Sequence, residues 1–200
     1  DKDKTIGEEM DLSHGLPFAP QKMVIKAGDY SDCKDAQVVV ITAGIAQKPG
    51  QTRLELAEVN TKIMKQITES IMKSGFDGII IVASNPVDLM TYVVAEVSGL
   101  PKNRVIGSGT VLDTARLRYL MADYLKISSK NIHAYIMGEH GDSSFVPWDH
   151  AYVGCKKVKD VMKDNNHPME DLEKIHKGVV DAAYEIIEKK KATYYGCLLY

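Results

Sequence analysis

The sequence predicts an α/β fold in which a parallel sheet is followed by a second, mixed α/β unit. Three observations predict it. The β-branched runs QVVVITAG (37–44) and GIIIVAS (78–84) each end in a small residue, the pattern of strands buried on both faces. Stretches of helical length lie between and after them, the alternation that parallel βαβ units require. Beyond Trp148 this alternation stops and a single long helical pattern takes over.

In chain order, DKDKTIGEEMDLSHG opens within a charged turn and helix, and QKMVIKAG (21–28) reads as a short strand. After the strand at 37–44 come the polar loop IAQKPGQT and a helix over 54–73. The strand at 78–84 leads through NPVD into a helix ending near Ser98, and RVIGSGT (104–110) is a further short strand. Thr110 to Lys126 is helical, and NIHAYIM (131–137) is again a strand. AYVGCKKV (151–158) suits an antiparallel strand or a turn, and KDNNHP (163–168) a loop. Met169 to Lys191 forms one helix whose Leu172, Ile175, Val179, Ala182, Ala183, Ile186 and Ile187 recur at helical spacing, a stripe that reads as core packing. A boundary at Gly107–Gly109 divides the chain into units 1–107 and 108–200.

Composition narrows the function classes. A chain of 200 residues holds one domain with a sizeable core or two small ones. Its net charge of −2 gives no argument for nucleic acid or an anionic membrane as partner. Cys33, Cys155 and Cys197 form no CxxC pair and read as free thiols in a reducing cytosol. No apolar run approaches the roughly 18 residues of a membrane span, and no signal peptide is visible. The first residues fall inside a charged segment and the last are the apolar CLLY, so the expectation is a fragment.

In doubly wound sheets ligands bind at the carboxyl ends of the strands. Three such ends carry polar groups: TAGIAQKPGQTR, ASNPVD and GEHGD. Singly, each has a plainer explanation, since an NP pair is usually a turn and a histidine near a strand end is more often structural. Together they place Gln47, Arg53, Asn85 and His140 on one rim. In LDTARLR, Asp113 and Arg116 are three apart and share a helix face, whereas Arg118 lies about 200° around the axis from Arg116. An ion pair on the surface would be worth little. Alternatively the tasks divide: Arg116 offers a planar fork to a carboxylate, and Asp113 accepts from a histidine ring nitrogen.

TAGxxQKPGxTR, SNPVD, GSGTVLDTAR and GEHGD, in this order and spacing, closely resemble the L-lactate dehydrogenases of the lactate/malate dehydrogenase superfamily, in their bacterial branch. The resemblance implies a Rossmann cofactor domain over 1–107, truncated at its start, and a mixed α/β substrate domain over 108–200, truncated at its end. It implies a cytoplasmic homotetramer that reversibly reduces pyruvate to L-lactate with NADH, with no metal. By the resemblance His140 is the proton donor and acceptor, suited to that by an imidazole pKa near neutrality, and Asp113 holds its ring. Arg53 arrives on a closing lid to stabilise charge on the ketone oxygen. Arg116 anchors the substrate carboxylate, and Asn85 and Thr193 line the substrate site. Gln47 sets substrate choice: malate dehydrogenases usually carry arginine there, and a neutral glutamine leaves a second carboxylate without its counter-charge. NAD contacts carried over by match are Lys4, Tyr30, Gly44, Ile45, Gln66, Ala83, Ser84, Asn85 and Ser108. Arg118 and His133 match a pair that binds fructose 1,6-bisphosphate at a subunit interface, and Asn85–Pro86 matches a cis peptide.

The chain departs from that family in lacking a GxGxxG loop, the pyrophosphate site, and in reading KKKAT and YYGCLLY near its end. These 200 residues alone are therefore expected to bind NAD poorly and to be inactive. Two other readings stay open: a dehydrogenase of malate or of bulkier 2-keto acids, and an inactive truncated paralogue acting only as an interaction subunit.

Overall fold

The computed structural model describes residues 2–45, 53–191, 193 and 196, the side chains of 53–56 excepted. The chain opens with α1 (Lys2–His14), none of whose residues is buried. The stretch expected to follow as a strand, 21–28, joins no ladder, and Val24 is 87% exposed. No described backbone pairs with it. Instead the Ala27 N–H donates to the Glu9 carboxylate on α1, at 2.8 Å.

β1 (Val38–Ile41), β2 (Ile79–Val82) and β3 (Val105–Gly107) form a parallel sheet in the order β1–β2–β3. Ile41 lies opposite Val82, and Val82 opposite Gly107. Between the strands run α2 (Arg53–Lys73) and α3 (Val87–Ser98). Ile41, Ile80 and Val82 are buried together with Met64 of α2 and Met90 and Val94 of α3. The opposite face is open, with Val38, Val40 and Ile106 about half exposed. The expectation of strands buried on both faces is corrected here. The strand order follows the sequence, so successive crossovers of the same hand put both helices on one side of the sheet.

The rest of the chain closes around a second core. α4 (Val111–Leu125) packs against α6 (Asp171–Lys190), and β4 (Ile132–His133), β5 (Tyr152–Val153) and β6 (Lys156–Lys157) form an antiparallel meander. The segment 151–158 is thus the hairpin of β5 and β6, running into α5 (Val158–Asp164), a short helix the sequence reading missed. Leu117 and Met121 of α4, Ile132 of β4, Met162 of α5 and Leu172 and Val179 of α6 make this core. The strand expected over 131–137 keeps its alternation, with Ala134 and Ile136 buried and Tyr135 and Met137 exposed, but only its first part is in a ladder. Ala151, which would pair next, gives its N–H to the Trp148 carbonyl in a tight turn. The α6 stripe is core only in its first half, since Ile186 and Ile187 are exposed. With 20 residues against 15 in α4, α6 outruns the helix that covers it. No helix among the described residues is long and apolar enough to cross a membrane.

Candidate active site

α4 sets the position of the central carboxylate. Its N-cap residue, Thr110, does not use its hydroxyl on its own helix. That hydroxyl donates to the Ile136 carbonyl at 2.6 Å, and one turn later Thr114 Oγ1 accepts the Ile136 N–H at 3.0 Å. Ile136 is thereby strapped to α4 through both of its backbone polar groups. Asp113 sits in the first helical turn, 6% exposed, where the helix N-terminus favours an anion.

His140 follows on the loop that begins at Met137. Met137 and Phe145 exchange two backbone hydrogen bonds, 2.9 and 3.0 Å, and close the loop at its base. Gly138 (φ +94°) and Gly141 (φ +151°) flank the histidine in conformations that L side chains rarely adopt. This turn carries the imidazole back over α4, and Nδ1 lies 2.6 Å from Asp113 Oδ2. An ionised carboxylate only accepts, so Nδ1 is the donor and Nε2 is left for chemistry. The hydrogen bond to Asp113 raises the His140 pKa above the ordinary imidazole value; partial burial and the Arg116 charge oppose the rise, and the charges of Asp113 and Asp88 add to it.

Arg116 Nη1 stands 3.5 Å from the other Asp113 oxygen, with the arginine side chain 15% exposed. At that length the contact is an ion pair more than a good hydrogen bond. Among the described residues its guanidinium makes no other hydrogen bond, so its fork is available to an incoming carboxylate.

The facing rim belongs to the parallel sheet. The Ala83 N–H and the Ser84 hydroxyl both donate to the Ile41 carbonyl, at 2.9 and 3.3 Å, and the Ser108 N–H donates to the Val82 carbonyl at 2.8 Å. Asn60 of α2, 1% exposed, ties two strand ends together: its Oδ1 accepts the Ile45 N–H at 3.0 Å and its Nδ2 donates to the Asn85 carbonyl at 2.9 Å. Gly44, Ile45, Ala83, Ser84, Asn85 and Ser108 thus share the carboxyl edge of the sheet, and Asn85–Pro86 is cis. Residues 44, 83, 84 and 108 are small, and exposed Asn85 adds an amide, a lining of the size and polarity that suits the nicotinamide end of a dinucleotide. The two rims meet where the His140 N–H donates to Asp88 Oδ2, on the first turn of α3, at 3.0 Å.

Of the other sequence-derived positions, Lys4 on α1, Tyr30, Gln66 on α2 and Thr193 are exposed, and the hydrogen bonds just described do not include them. Gln47 lies outside the described residues, as does the side chain of Arg53, whose backbone opens α2. Arg118 leaves α4 toward a different neighbour than Arg116 does. Its Nε donates to the Ala134 carbonyl at 3.2 Å, beside exposed His133, and its guanidinium carbon lies 4.7 Å from the Tyr135 ring centroid. Arg118, Tyr119, Ser129 and Lys130 line one crevice.

Sequence reasoning missed Asn60, Asp88, Thr110 and Thr114. A signal for Asn60 was present: it lies three residues after Ala57 and four before Met64, on the buried face of α2.

The description "lactate/malate dehydrogenase, NAD binding domain" matches residues 1–107, and "lactate/malate dehydrogenase, alpha/beta C-terminal domain" matches residues 110–197. The chain is similar to L-lactate dehydrogenase 2 of Bacillus cereus, 57% identical over 194 residues, covering 96% of this chain and 62% of that protein. It is also similar to the crystal structure of MGS-M5, a lactate dehydrogenase enzyme from a Medee basin deep-sea metagenome library. The TM-score is 0.94 at 60% identity, over 98% of this chain and 63% of that one. A third likeness is to the minor L-lactate dehydrogenase of Enterococcus mundtii in its ligands-bound form, with a TM-score of 0.92 at 47% identity, over 96% of this chain and 61% of that one. The chain thus spans a little under two thirds of the length of these relatives.

Proposed function

The chain belongs to the lactate/malate dehydrogenase family, and from that premise we propose that the full-length protein is a cytoplasmic L-lactate dehydrogenase, reducing pyruvate reversibly to L-lactate with NADH. The observation that carries this reading is the 2.6 Å contact between His140 Nδ1 and Asp113, with Arg116 beside it. Bound NADH supplies the hydride for the ketone carbon. His140 Nε2 gives its proton to the ketone oxygen, and Asp113 stabilises the imidazolium before that transfer. In the reverse direction neutral Nε2 takes the hydroxyl proton and the imidazolium is restored beside Asp113. Arg116 holds the pyruvate carboxylate, and Arg53 screens the growing oxyanion when its loop closes. Asn85 and Thr193 complete the substrate site.

The unit 1–107 serves as the cofactor domain and 108–200 as the substrate domain. Lys4 and Tyr30 hold the adenosine end of NAD, while Gly44, Ile45, Gln66, Ala83, Ser84, Asn85 and Ser108 contact the rest, nicotinamide above all. Gln47 selects a small monocarboxylate over a dicarboxylate. The test compares kcat/KM for pyruvate and oxaloacetate in the full-length protein and its Gln47→Arg variant. The expected results are a strong pyruvate preference and a shift toward oxaloacetate in the variant. No turnover of pyruvate ends the reading.

The basic crevice beside α4 supports a regulatory addition. Arg118, whose Nε reaches the Ala134 carbonyl, and His133, the residue before Ala134, suit one phosphate of fructose 1,6-bisphosphate. Two such pairs facing across a two-fold axis would hold a homotetramer together. The effector is then expected to lower the KM for pyruvate and to promote tetramers in sedimentation, more strongly toward neutral pH. The double variant Arg118→Gln, His133→Ala should lose both responses. An unmutated protein without any response sinks this addition and leaves the dehydrogenase reading standing.

A further inference from the structure

We infer that Asp88 is a positioning residue for the proton-transfer step, holding the backbone of the His140 loop against the first turn of α3 while Asp113 holds the ring from the first turn of α4. The inference rests on the dehydrogenase reading above. Asp88 and His140 are 52 residues apart in sequence and come from the two separate cores, yet the His140 N–H reaches Asp88 Oδ2 at 3.0 Å. Besides the exchange at its base, the Ser144 N–H donates to the Gly141 carbonyl and Ser143 donates to Glu139 within the loop, and Tyr184 of α6 donates to Asp142. None of these contacts touches His140 itself. The imidazole is fixed through Nδ1 and the backbone through its N–H, so two carboxylates on two helices define where Nε2 stands.

The geometry has a functional consequence because the nicotinamide-facing rim and the histidine are carried by different cores. α3 begins directly after Asn85 and Pro86, so the same short segment that ends the rim also holds the histidine loop. Asp88 therefore sets the reach from the proton donor to a substrate lying on the rim. Small misplacements of a proton donor lose rate steeply. Electrostatics contribute in the same direction and to a smaller extent. Among the described residues, the charged groups facing His140 are Asp113 and Arg116 from α4 and Asp88 from α3; Glu139 and Asp142 lie on its own loop. Asp88 is exposed, so water screens its charge and its effect on the imidazole is smaller than that of Asp113.

The experiment uses the full-length protein with three measurements on Asp88→Ala and Asp88→Asn: pyruvate kinetics against pH, the His140 titration by NMR, and Tm. Asparagine keeps an acceptor oxygen for the His140 N–H and removes the charge; alanine removes both. The expected result for Asp88→Ala is a fall in kcat of about ten-fold with a smaller change in the KM for pyruvate. Asp88→Asn should recover most of that loss. Both variants should titrate His140 at lower pH than the unmutated protein. The inference is overturned if Asp88→Ala keeps the unmutated kcat, or if both variants lose only Tm while the His140 titration stays where it was. The NMR titration needs no turnover, so a failure of the dehydrogenase reading, seen as no pyruvate turnover by the unmutated protein, is distinguishable from a failure of the Asp88 role.

Discussion

On the sheet side of the site, up to Ser108, the strand ends present backbone amides, carbonyls and small residues, with Asp88 of α3 reaching across; on the other side, from Val111 onward, the groups are the charged side chains of Asp113, Arg116 and His140. The first set is placed by ladder register, and its direction survives most changes of side chain. The second set depends on residue identity, because a carboxylate 2.6 Å from an imidazole has no substitute of equal charge and reach. The two regions should therefore fail differently when altered. Changes on the charged side should strike rate and pH dependence. Changes at the strand ends should strike stability and binding while leaving the pH profile where it was; Asp88 is excepted, because it bonds across to the histidine loop.

The largest effect is expected from Asp113→Asn. The amide keeps roughly the shape of the carboxylate and withdraws the charge that raises the His140 pKa. On the proposed function, the rate of pyruvate reduction by the full-length protein should fall about a hundred-fold or more. Reduction needs the imidazolium, so its falling limb should move to lower pH in the variant. The stability arm has a definite sign. A histidine whose folded pKa is raised contributes stability that is fully present below its unfolded pKa and is lost as pH rises through the folded value. The variant should lack that contribution, so its Tm should trail the unmutated protein most on the acid side of that window and least above it. An unshifted pH–rate profile would show that Asp113 is not the working partner of His140.

Next in size is Asn60→Ala. It leaves the Ile45 N–H and the Asn85 carbonyl without the partner that now joins them, at a cost of about 1–3 kcal/mol. Denaturant melts should show that loss, and the KM for NADH should rise. The apparent pKa in the rate profile should stay in place, which is the contrast with Asp113→Asn. A moved pKa would mean that the strand ends, and not only Asp88, tune the histidine, and the division between the two sides would not hold.

These two residues also show what was legible in the sequence. Asp113, Arg116 and His140 were singled out from a shared helix face, a place after a strand and the family resemblance of the motifs that carry them, since singly each had a plainer explanation. The strands with covered neighbours and the helices α2, α3 and α4 were readable from apolar runs and helical periods. Asn60 and Asp88 were not picked out, because each bonds to backbone atoms far away in sequence, and a single chain does not advertise such partners. The segment 21–28 misled for a related reason: its apolar residues suit a strand, but strand formation needs a neighbouring backbone, and pattern alone does not supply one. The exposed end of the α6 stripe is the same lesson in a helix, where spacing gives the face and not the length of its cover.

A smaller effect is expected from Thr114→Val. The change is close to isosteric and removes the oxygen that accepts the Ile136 N–H. About 1 kcal/mol should be lost in melts, with a small fall in kcat because α4 and the His140 loop are no longer strapped from both sides. The smallest effect calibrates the rest. Lys62→Ala removes the exposed pair with Glu58 on α2, and stability should change by less than about 0.5 kcal/mol, with turnover unchanged. A larger loss there would mean that surface charge on the sheet side does work here assigned to Asn60.

The double bond to Ile136 also has a meaning in time. Its amide is buried and shielded by Thr114, and its carbonyl is occupied by Thr110, so hydrogen exchange at this position requires α4 and the strand to part, a rare and cooperative opening. Four residues on, the His140 amide is held by a single exposed carboxylate and can exchange in brief local excursions of the loop. A slow clock and a fast clock thus sit on one short stretch of chain. The His140 amide should therefore exchange many times over in the interval in which the Ile136 amide exchanges once.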